Sequence, residues 1–415
     1  MKKLLFISPE LPFPAQSGGK VKTLKLVQSL AERYRVTFVS PLKLEDAHYS
    51  EEFARVSGCV RHVHAPVDVP RNARNLLYSY AQGWPLNVRR TLDRGLQRQV
   101  GALADAHDVV VLDHYEVLPY LPEDYAGLVV YHAHNAYFKI WERYATQPGN
   151  PAMRLAAYLE AHRVRRFEAA VAGRADLVFA APNDSRELVA AGVPADKIQD
   201  TYHLGDDTQL ALPELRFEDT CEKLMYVGFL GWEPNVQGLL WFIENVWPML
   251  EERHPALCFD IVGKNPGERL QAAVADRPAI RLTGYVADLQ TVYRDSRVSV
   301  APLLFGSGMK VKVLDAMARG IPTVTTTVGA EGIEVEDRVQ LMIADDPSDM
   351  ADRIGELLTD RKIWEQLQGA SRALIRRQYT WQRLLNSMHG AIEACLKERR
   401  RDHASQAVRG AVHAG

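Results

Sequence analysis

Short apolar runs of strand length alternate with stretches of helical period along most of the chain. Residues 4–8, 36–40, 60–65, 108–113, 127–131 and 176–181 are bounded by glycine, proline or polar residues. They read as strands covered on both faces. Between them the period of 3.6 predicts a helix over 20–33 and a long helix over 151–173. Two further helices are expected in 71–100, around Gly83-Trp84-Pro85, and Asn183-Asp184-Ser185 is expected to cap a short helix. A second series follows, with strands over 223–227, 258–262, 280–283, 298–301, 323–328 and 341–344 and a helix over 235–253. From Asp349 the pattern is helical, over 351–360, 361–377 and 381–397. Strands and helices in strict alternation imply α/β units with parallel sheets.

The alternation breaks once, at 208–220, where a leading proline is followed by Glu214, Glu218 and Asp219. This stretch reads as a linker, dividing the chain into 1–207 and 221–380. The helix over 381–398 closes the pattern, and 399–415, without periodicity, is expected to be a disordered tail. A chain of 415 residues is long enough for two such cores.

The richest chemistry lies in 301–332, where a strand ends, a loop opens at Gly306 and Gly308, and a helix begins beside Lys310 and Lys312. Loop amides, a helix N-terminus and two lysines suit a phosphate or diphosphate. In the first half, Gly18-Gly19 connect strand to helix without the G-x-G-x-x-G spacing of a dinucleotide fold. His132-Ala133-His134-Asn135 follows the strand over 127–131, at the end where parallel sheets place their sites. The H-x-H spacing has no third ligand near it in sequence, so hydrogen bonding to a sugar hydroxyl is the expected role and no metal is expected. A histidine that only caps the next helix is the plainer alternative.

Charge adds exclusions. The net charge of −2 argues against a nucleic-acid protein held by bulk charge. Cys59, Cys221, Cys258 and Cys395 form no metal or redox spacing, which suits a reduced cytoplasmic setting. The apolar start is shorter than a signal peptide, and no run approaches the roughly 18 residues of a membrane span. Residues 71–100 carry Arg71, Arg74, Arg89, Arg90, Arg94 and Arg98 against Asp93, with Tyr78, Tyr80 and Trp84 among them. That composition suits peripheral contact with an anionic membrane, at its inner face, or with a lipid-linked acceptor; a solvated helical face is the plainer alternative.

With these motifs in order, the chain resembles a group-1 (family 4) retaining glycosyltransferase of the type acting in exopolysaccharide or lipopolysaccharide assembly. The resemblance rests on SPELPFPAQSGG, YVGFLGWEPNVQGLLWF, GKNPGERL, LTGYVADLQTVY and above all PLLFGSGMKVKVLDAMARGIPTVTTTVGAEGI. It implies a GT-B fold: two facing Rossmann-like domains, acceptor side first and donor side second, with a last helix returning to the first. It implies a UDP- or GDP-sugar donor, a saccharide or lipid-linked acceptor, and no cofactor beyond the donor itself. Asp315 stands where the family reads the ribose, while Ser307 stands where its first acidic residue is usual. The arginine and lysine that typically follow the donor domain's first strand are not evident, and Phe229 stands near that place. Lys310 and Lys312, with the amides of Ser307, Gly308 and Met309, are expected to take over the diphosphate charge.

By the same resemblance His134, or His132, contacts the donor sugar, and Gly18 and Gly19 admit the diphosphate. Gly228, Gly263 and Lys264 line the donor site, while Tyr285 and Val286 border the base. Two other classes share this layout. A nucleotide-sugar 2-epimerase needs an acidic cluster that is not apparent, and a non-catalytic partner subunit is suggested by Ser307 and the missing arginine–lysine pair.

Overall fold

The computed structural model describes residues 1–15, 18–67, 73–146, 150–202, 204–306 and 309–413. The chain divides into two compact units, Met1–Tyr202 with Leu384–Gly415, and His203–Arg383.

The first unit is built on seven strands: β1 (Lys3–Ile7), β2 (Arg35–Leu42), β3 (Arg61–Pro66), β4 (Val109–Asp113), β5 (Leu128–His132), β6 (Leu177–Ala180) and β7 (Ile198–Asp200). Their order is β3-β2-β1-β4-β5-β6-β7, and every pairing is parallel. The central strands β1, β4, β5 and β6 are buried almost throughout, as a parallel sheet clad on both faces requires. Parallel strands need crossovers, and the helices Gly18–Ala31, Arg94–Ala104 and Pro151–Arg174 are three of them.

The second unit repeats the plan with β8 (Cys221–Val227), β9 (Cys258–Val262), β10 (Ile280–Gly284), β11 (Ser296–Ala301), β12 (Thr323–Thr325) and β13 (Met342–Ile343). The order is β10-β9-β8-β11-β12-β13, again parallel throughout. Its core runs from Leu224 and Tyr226 to Trp247, Phe259 and Ile354. The last helix, Trp381–His413, lies along the first unit from Leu384 onward. There His389 meets Ser29 at 2.8 Å, and Arg399 bonds the Asp176 carboxylate at 2.8 Å and the Ala126 carbonyl at 2.6 Å.

Several expectations change, each for a local reason. The strand expected over 323–328 stops at Thr325. The Thr326 hydroxyl accepts from the Gly329 amide at 3.0 Å and starts the short helix Thr327–Ala330. The helix expected over 235–253 is two, Glu233–Asn245 and Trp247–Arg253, because Pro248 starts a new first turn. Residues 73–104 hold three helices, Ala73–Ala81, Leu86–Thr91 and Arg94–Ala104, the third capped by Asp93 accepting from Leu96. The helix after β6 starts at Pro182, so Asp184 is no cap for it and instead accepts from the Ala136 amide at 2.9 Å. The stretch 208–220 is not free: the Arg372 guanidinium donates to the Leu210 and Leu212 carbonyls, Gln368 to Leu215 and Arg319 to Pro213. The final helix continues to His413 rather than ending at Lys397.

Candidate functional site

In a sheet that winds outward in both directions, the crevice between the first two oppositely wound strands is where ligands bind. In the first unit that point lies between β1 and β4. Their C-terminal ends bring together Ser8 and Asp113, and β5 adds His132 and His134 beside them. Asp113 is the centre of this cluster. Its Oδ1 accepts from His132 Nδ1 and His134 Nε2, both at 2.7 Å, and its Oδ2 from Ser8 Oγ at 3.0 Å and Thr23 Oγ1 at 2.9 Å. Burial alone would raise this carboxyl, but the two histidines and their hydrogen bonds outweigh it and hold the pKa well below the usual range. An ionised carboxylate only accepts, so both imidazoles keep their proton on the nitrogen facing Asp113. His134 is left with Nδ1 as its other nitrogen.

Gly19 lies against that ring at ordinary contact distance. A Cβ there would stand 3.4 Å from His134 Nδ1, whereas one at Gly18 would meet nothing within 4 Å. Both glycines form the first turn of the helix Gly18–Ala31 rather than a loop ahead of it. His114 packs over His134 at 5.2 Å between ring centroids, and its Nε2 is 2.7 Å from the Tyr137 hydroxyl. Burial pushes His114 and His132 down to about 3.

Lys22 is the cation of this cluster and one that sequence reasoning missed. Its side chain is wholly buried, its amine has no hydrogen-bond partner among the described residues, and burial pulls its pKa down to about 7 against the attraction of Asp113 and Asp184. His132 Nε2 and Asp184 Oδ2 are likewise buried without a partner among the described residues. A signal existed: Lys22 stands four residues before Leu26 and eight before Leu30, on the face the helix turns inward. Asp113 was missed because it lies far from His132 in sequence; only the β4–β5 pairing, Asp113 opposite His132, makes them neighbours.

The fold thus supplies the third ligand type that the H-x-H spacing lacked. Asp113, His132 and His134 place one ligand atom each within 4.8 Å of one another. As arranged, however, the carboxylate is saturated by four protein donors and a buried lysine lies within electrostatic reach. The set is built for hydrogen bonding and orientation.

In the second unit the switch point lies between β8 and β11. The loop after β11 carries Gly306, Met309 and Lys310 into the helix Val311–Arg319; Ser307 and Gly308 lie outside the described residues. Lys312 donates to the Tyr226 hydroxyl at 2.7 Å and to Asn235 Oδ1 at 2.6 Å, with its ammonium 4.6 Å from the Tyr226 ring centre. Burial, then the charge of Lys310, brings it down to about 7. Lys310 is itself buried, with its amine 3.7 Å from Glu331. Asp315 accepts from the Asp206 amide at 2.7 Å, and burial raises its carboxyl to about 6.

The loops after β8 and β9 close against each other. A Cβ on Gly263 would lie 1.9 Å from the Gly228 carbonyl oxygen, so only glycine fits, and the Leu230 amide donates to the Lys264 carbonyl at 3.1 Å. Lys264 covers the exposed Tyr285 ring at 4.1 Å, while Val286 turns inward against a small apolar cluster with Tyr293. Phe229 and Trp232 are exposed on the same crest. Strand ends, a glycine loop, two desolvated lysines and open aromatic faces therefore meet at one place in this unit.

Residues 221–360 match the family model for glycosyl transferases group 1. That match covers less than half of the chain but spans the whole second sheet, so the crest just described lies within the matched residues. An uncharacterized 44.6 kDa protein in the cps region of Klebsiella pneumoniae is 36% identical over 131 residues, which is 30% of this chain and 34% of that protein. The D-inositol 3-phosphate glycosyltransferase of Corynebacterium jeikeium is 26% identical over 182 residues, 40% of this chain and 43% of that protein. The matches thus span less than half the length of either curated relative. Among solved structures, Anabaena HepE in complex with UDP and glucose aligns with 95% of this chain and 100% of its own, at 14% identity and a TM-score of 0.65. Sucrose-phosphate synthase from Thermosynechococcus elongatus aligns with 96% and 100%, at 15% identity and a TM-score of 0.65. The fold of the chain is GT-B.

Proposed function

We propose that the chain is a retaining glycosyltransferase that moves a sugar from a UDP- or GDP-sugar to a saccharide or lipid-linked acceptor in cell-surface polysaccharide synthesis. The observation that carries this reading is the group 1 match, with its glycine loop and helix start at the switch point between β8 and β11. A relative in a cps region and a neighbour holding UDP and glucose point the same way.

Glycosyl transfer passes through an oxocarbenium-like state while a nucleoside diphosphate departs. The main demand is therefore fixed positive charge where the diphosphate gains its negative charge. The amides from Gly306 to Met309 and the amines of Lys310 and Lys312 are assigned that task. Lys312 keeps one of its three N–H groups beyond those given to Tyr226 and Asn235, and that geometry orients the amine in advance. A diphosphate arriving beside Lys312 would favour its charged form. Asp315 is assigned the ribose, and Tyr285 the base. In the first unit His134, held in one tautomer by Asp113, is assigned hydrogen bonding to a sugar hydroxyl. By the family resemblance retention is expected, and with no carboxylate pair placed for a covalent intermediate among the described residues, the attack is assigned to the same face.

The test is donor affinity and turnover in Lys310→Ala and Lys312→Ala, read by calorimetric titration of UDP and GDP and by nucleoside diphosphate release. Each variant should weaken nucleotide binding about tenfold or more, the scale of a lost charge-assisted hydrogen bond. Near-normal affinity and turnover in both would remove the lysines from the account. Firm binding without turnover in the unaltered protein would favour a non-catalytic partner subunit instead.

A further inference from the structure

The helix Pro151–Arg174 is apolar on two opposite sides in its first half. Its inward side, with Ala157, Ala161 and Val164, is buried, as expected of a crossover helix. Its outward side carries Leu155, Tyr158 and Leu159, which are 60%, 65% and 44% exposed. Spacings of three and four residues align these three on one face, where charged side chains would ordinarily stand. The helix Tyr137–Thr146 packs alongside it. The Tyr137 and Phe138 amides donate to Glu168 near the end of the long helix, while Arg154 near its start donates to the Ala145 carbonyl at 3.0 Å. The two helices are therefore antiparallel, and the end away from Glu168 also exposes Tyr144 and Met153.

These five side chains form an exposed apolar end on a helical hairpin, and the exposed charge beside them is basic. Arg143 and Arg154 are exposed there. Glu142, the acid on that side, is paired with Lys139, and Glu160 turns inward to Arg163. Arg163 in turn donates to the Ser79 carbonyl and stacks on Tyr80, fixing the helix Ala73–Ala81 beside the hairpin. That helix adds Leu77, 70% exposed, and Tyr78. No helix among the described residues is long and apolar enough to cross a membrane.

We infer that this hairpin end is a membrane-seating surface, which inserts its leucines and tyrosines among the lipids of an anionic bilayer while the arginines meet the headgroups. Tyrosine and arginine beside aliphatic side chains are the residues such an interface selects. A second copy of the chain would suit the apolar side chains equally well but not the surrounding arginines, whose like charges would face one another. The inference extends the proposed use of a lipid-linked acceptor and gives it a route. The hairpin's base is Tyr137, whose hydroxyl bonds His114, the ring that packs on His134. A chain seated on lipid through the hairpin would thus hold the Asp113–His134 cluster near the surface from which such an acceptor is presented.

The experiment is flotation of the full chain with phosphatidylcholine vesicles and with vesicles that also contain phosphatidylglycerol. It is run at low and high salt, with UDP binding measured on the same preparations. The protein should float with the anionic vesicles, and less so at high salt. A variant carrying Leu155→Asp and Leu159→Asp should lose most of that binding, and Tyr158→Ser part of it, with melting temperature and UDP affinity unchanged because all three side chains are exposed. Absence of vesicle binding, binding insensitive to these substitutions, or a concentration-dependent dimer that they disperse would overturn the inference. UDP binding without vesicle binding would leave the donor reading standing; vesicle binding without nucleotide binding would do the reverse.

Discussion

Asp113 and Lys22 show how single residues set the electrostatics of the first unit. Asp113 spends all its accepting capacity on Ser8, Thr23, His132 and His134, and so fixes two imidazoles at once. Lys22 contributes long-range attraction at the cost of burying an amine that has no hydrogen bond among the described residues. Its folded pKa of about 7 lies below the ordinary 10.5, so folding favours the neutral amine. The resulting penalty is absent above 10.5, grows as pH falls toward 7, and is constant below that, where both states are protonated. Lys22→Met removes the penalty while keeping the volume. It should therefore raise the melting temperature, with a gain that increases from pH 10.5 to 7 and then levels, reaching roughly 1–4 kcal/mol. Thermal denaturation across that range checks it; a lower melting temperature at pH 7 would mean that the charge on Lys22 is needed to hold Asp113 in place. The histidines were readable from HAHN because they follow a strand directly. Asp113 was not, since nothing within the chain's local pattern says which strand will pair with β5.

Among the elements, the strands were legible wherever an apolar run was long and ended in glycine or a polar loop, as at β1, β4, β5, β9 and β11. What escaped was decided by short-range competition. Thr323 to Val328 is β-branched throughout, yet the Thr326 hydroxyl serves as a helix cap and cuts the strand after Thr325. Tertiary bonds decided the stretch from 208 to 220, where polar composition suggested a linker but Arg372, Gln368 and Arg319 fasten its carbonyls to the second unit. Glycines carry a similar division. At Gly263 the backbones of two crest loops meet, and Gly263→Ala would drive a methyl group into the Gly228 carbonyl. We expect a loss of about 1–3 kcal/mol or more, together with weaker UDP binding, because both loops belong to the crest proposed to hold the donor. Gly267→Ala, which meets nothing within 4 Å, should change stability by no more than about 0.5 kcal/mol. Equal behaviour of the two in denaturant melts would show that the loops adjust freely.

At the level of the whole molecule, two parallel sheets, each wound outward from its centre, yield two switch points, and each collects a different chemistry. The first gathers an ionised carboxylate, two tautomer-locked histidines and a buried amine; the second gathers a glycine loop, a helix start, two desolvated lysines and exposed aromatic rings. The alternation of strands and helices and the long motif after β11 made this plan readable in advance. The partners of Lys310, Lys312 and Asp315 were not, since Glu331, Tyr226, Asn235 and Asp206 come from other segments of the second unit. A nucleotide-sugar transferase uses such a division of labour, with anion-stabilising groups for the leaving diphosphate and hydrogen-bonding groups for sugar hydroxyls. The most direct measurement is incubation of the full chain with UDP- and GDP-sugars, with and without a lipid-linked saccharide acceptor, followed by separation of nucleotides and glycosylated product. Acceptor-dependent release of one nucleoside diphosphate, with the sugar joined to the acceptor in its original anomeric configuration, is the predicted result. A donor returned with an altered sugar, or bound without any diphosphate release, would contradict the account.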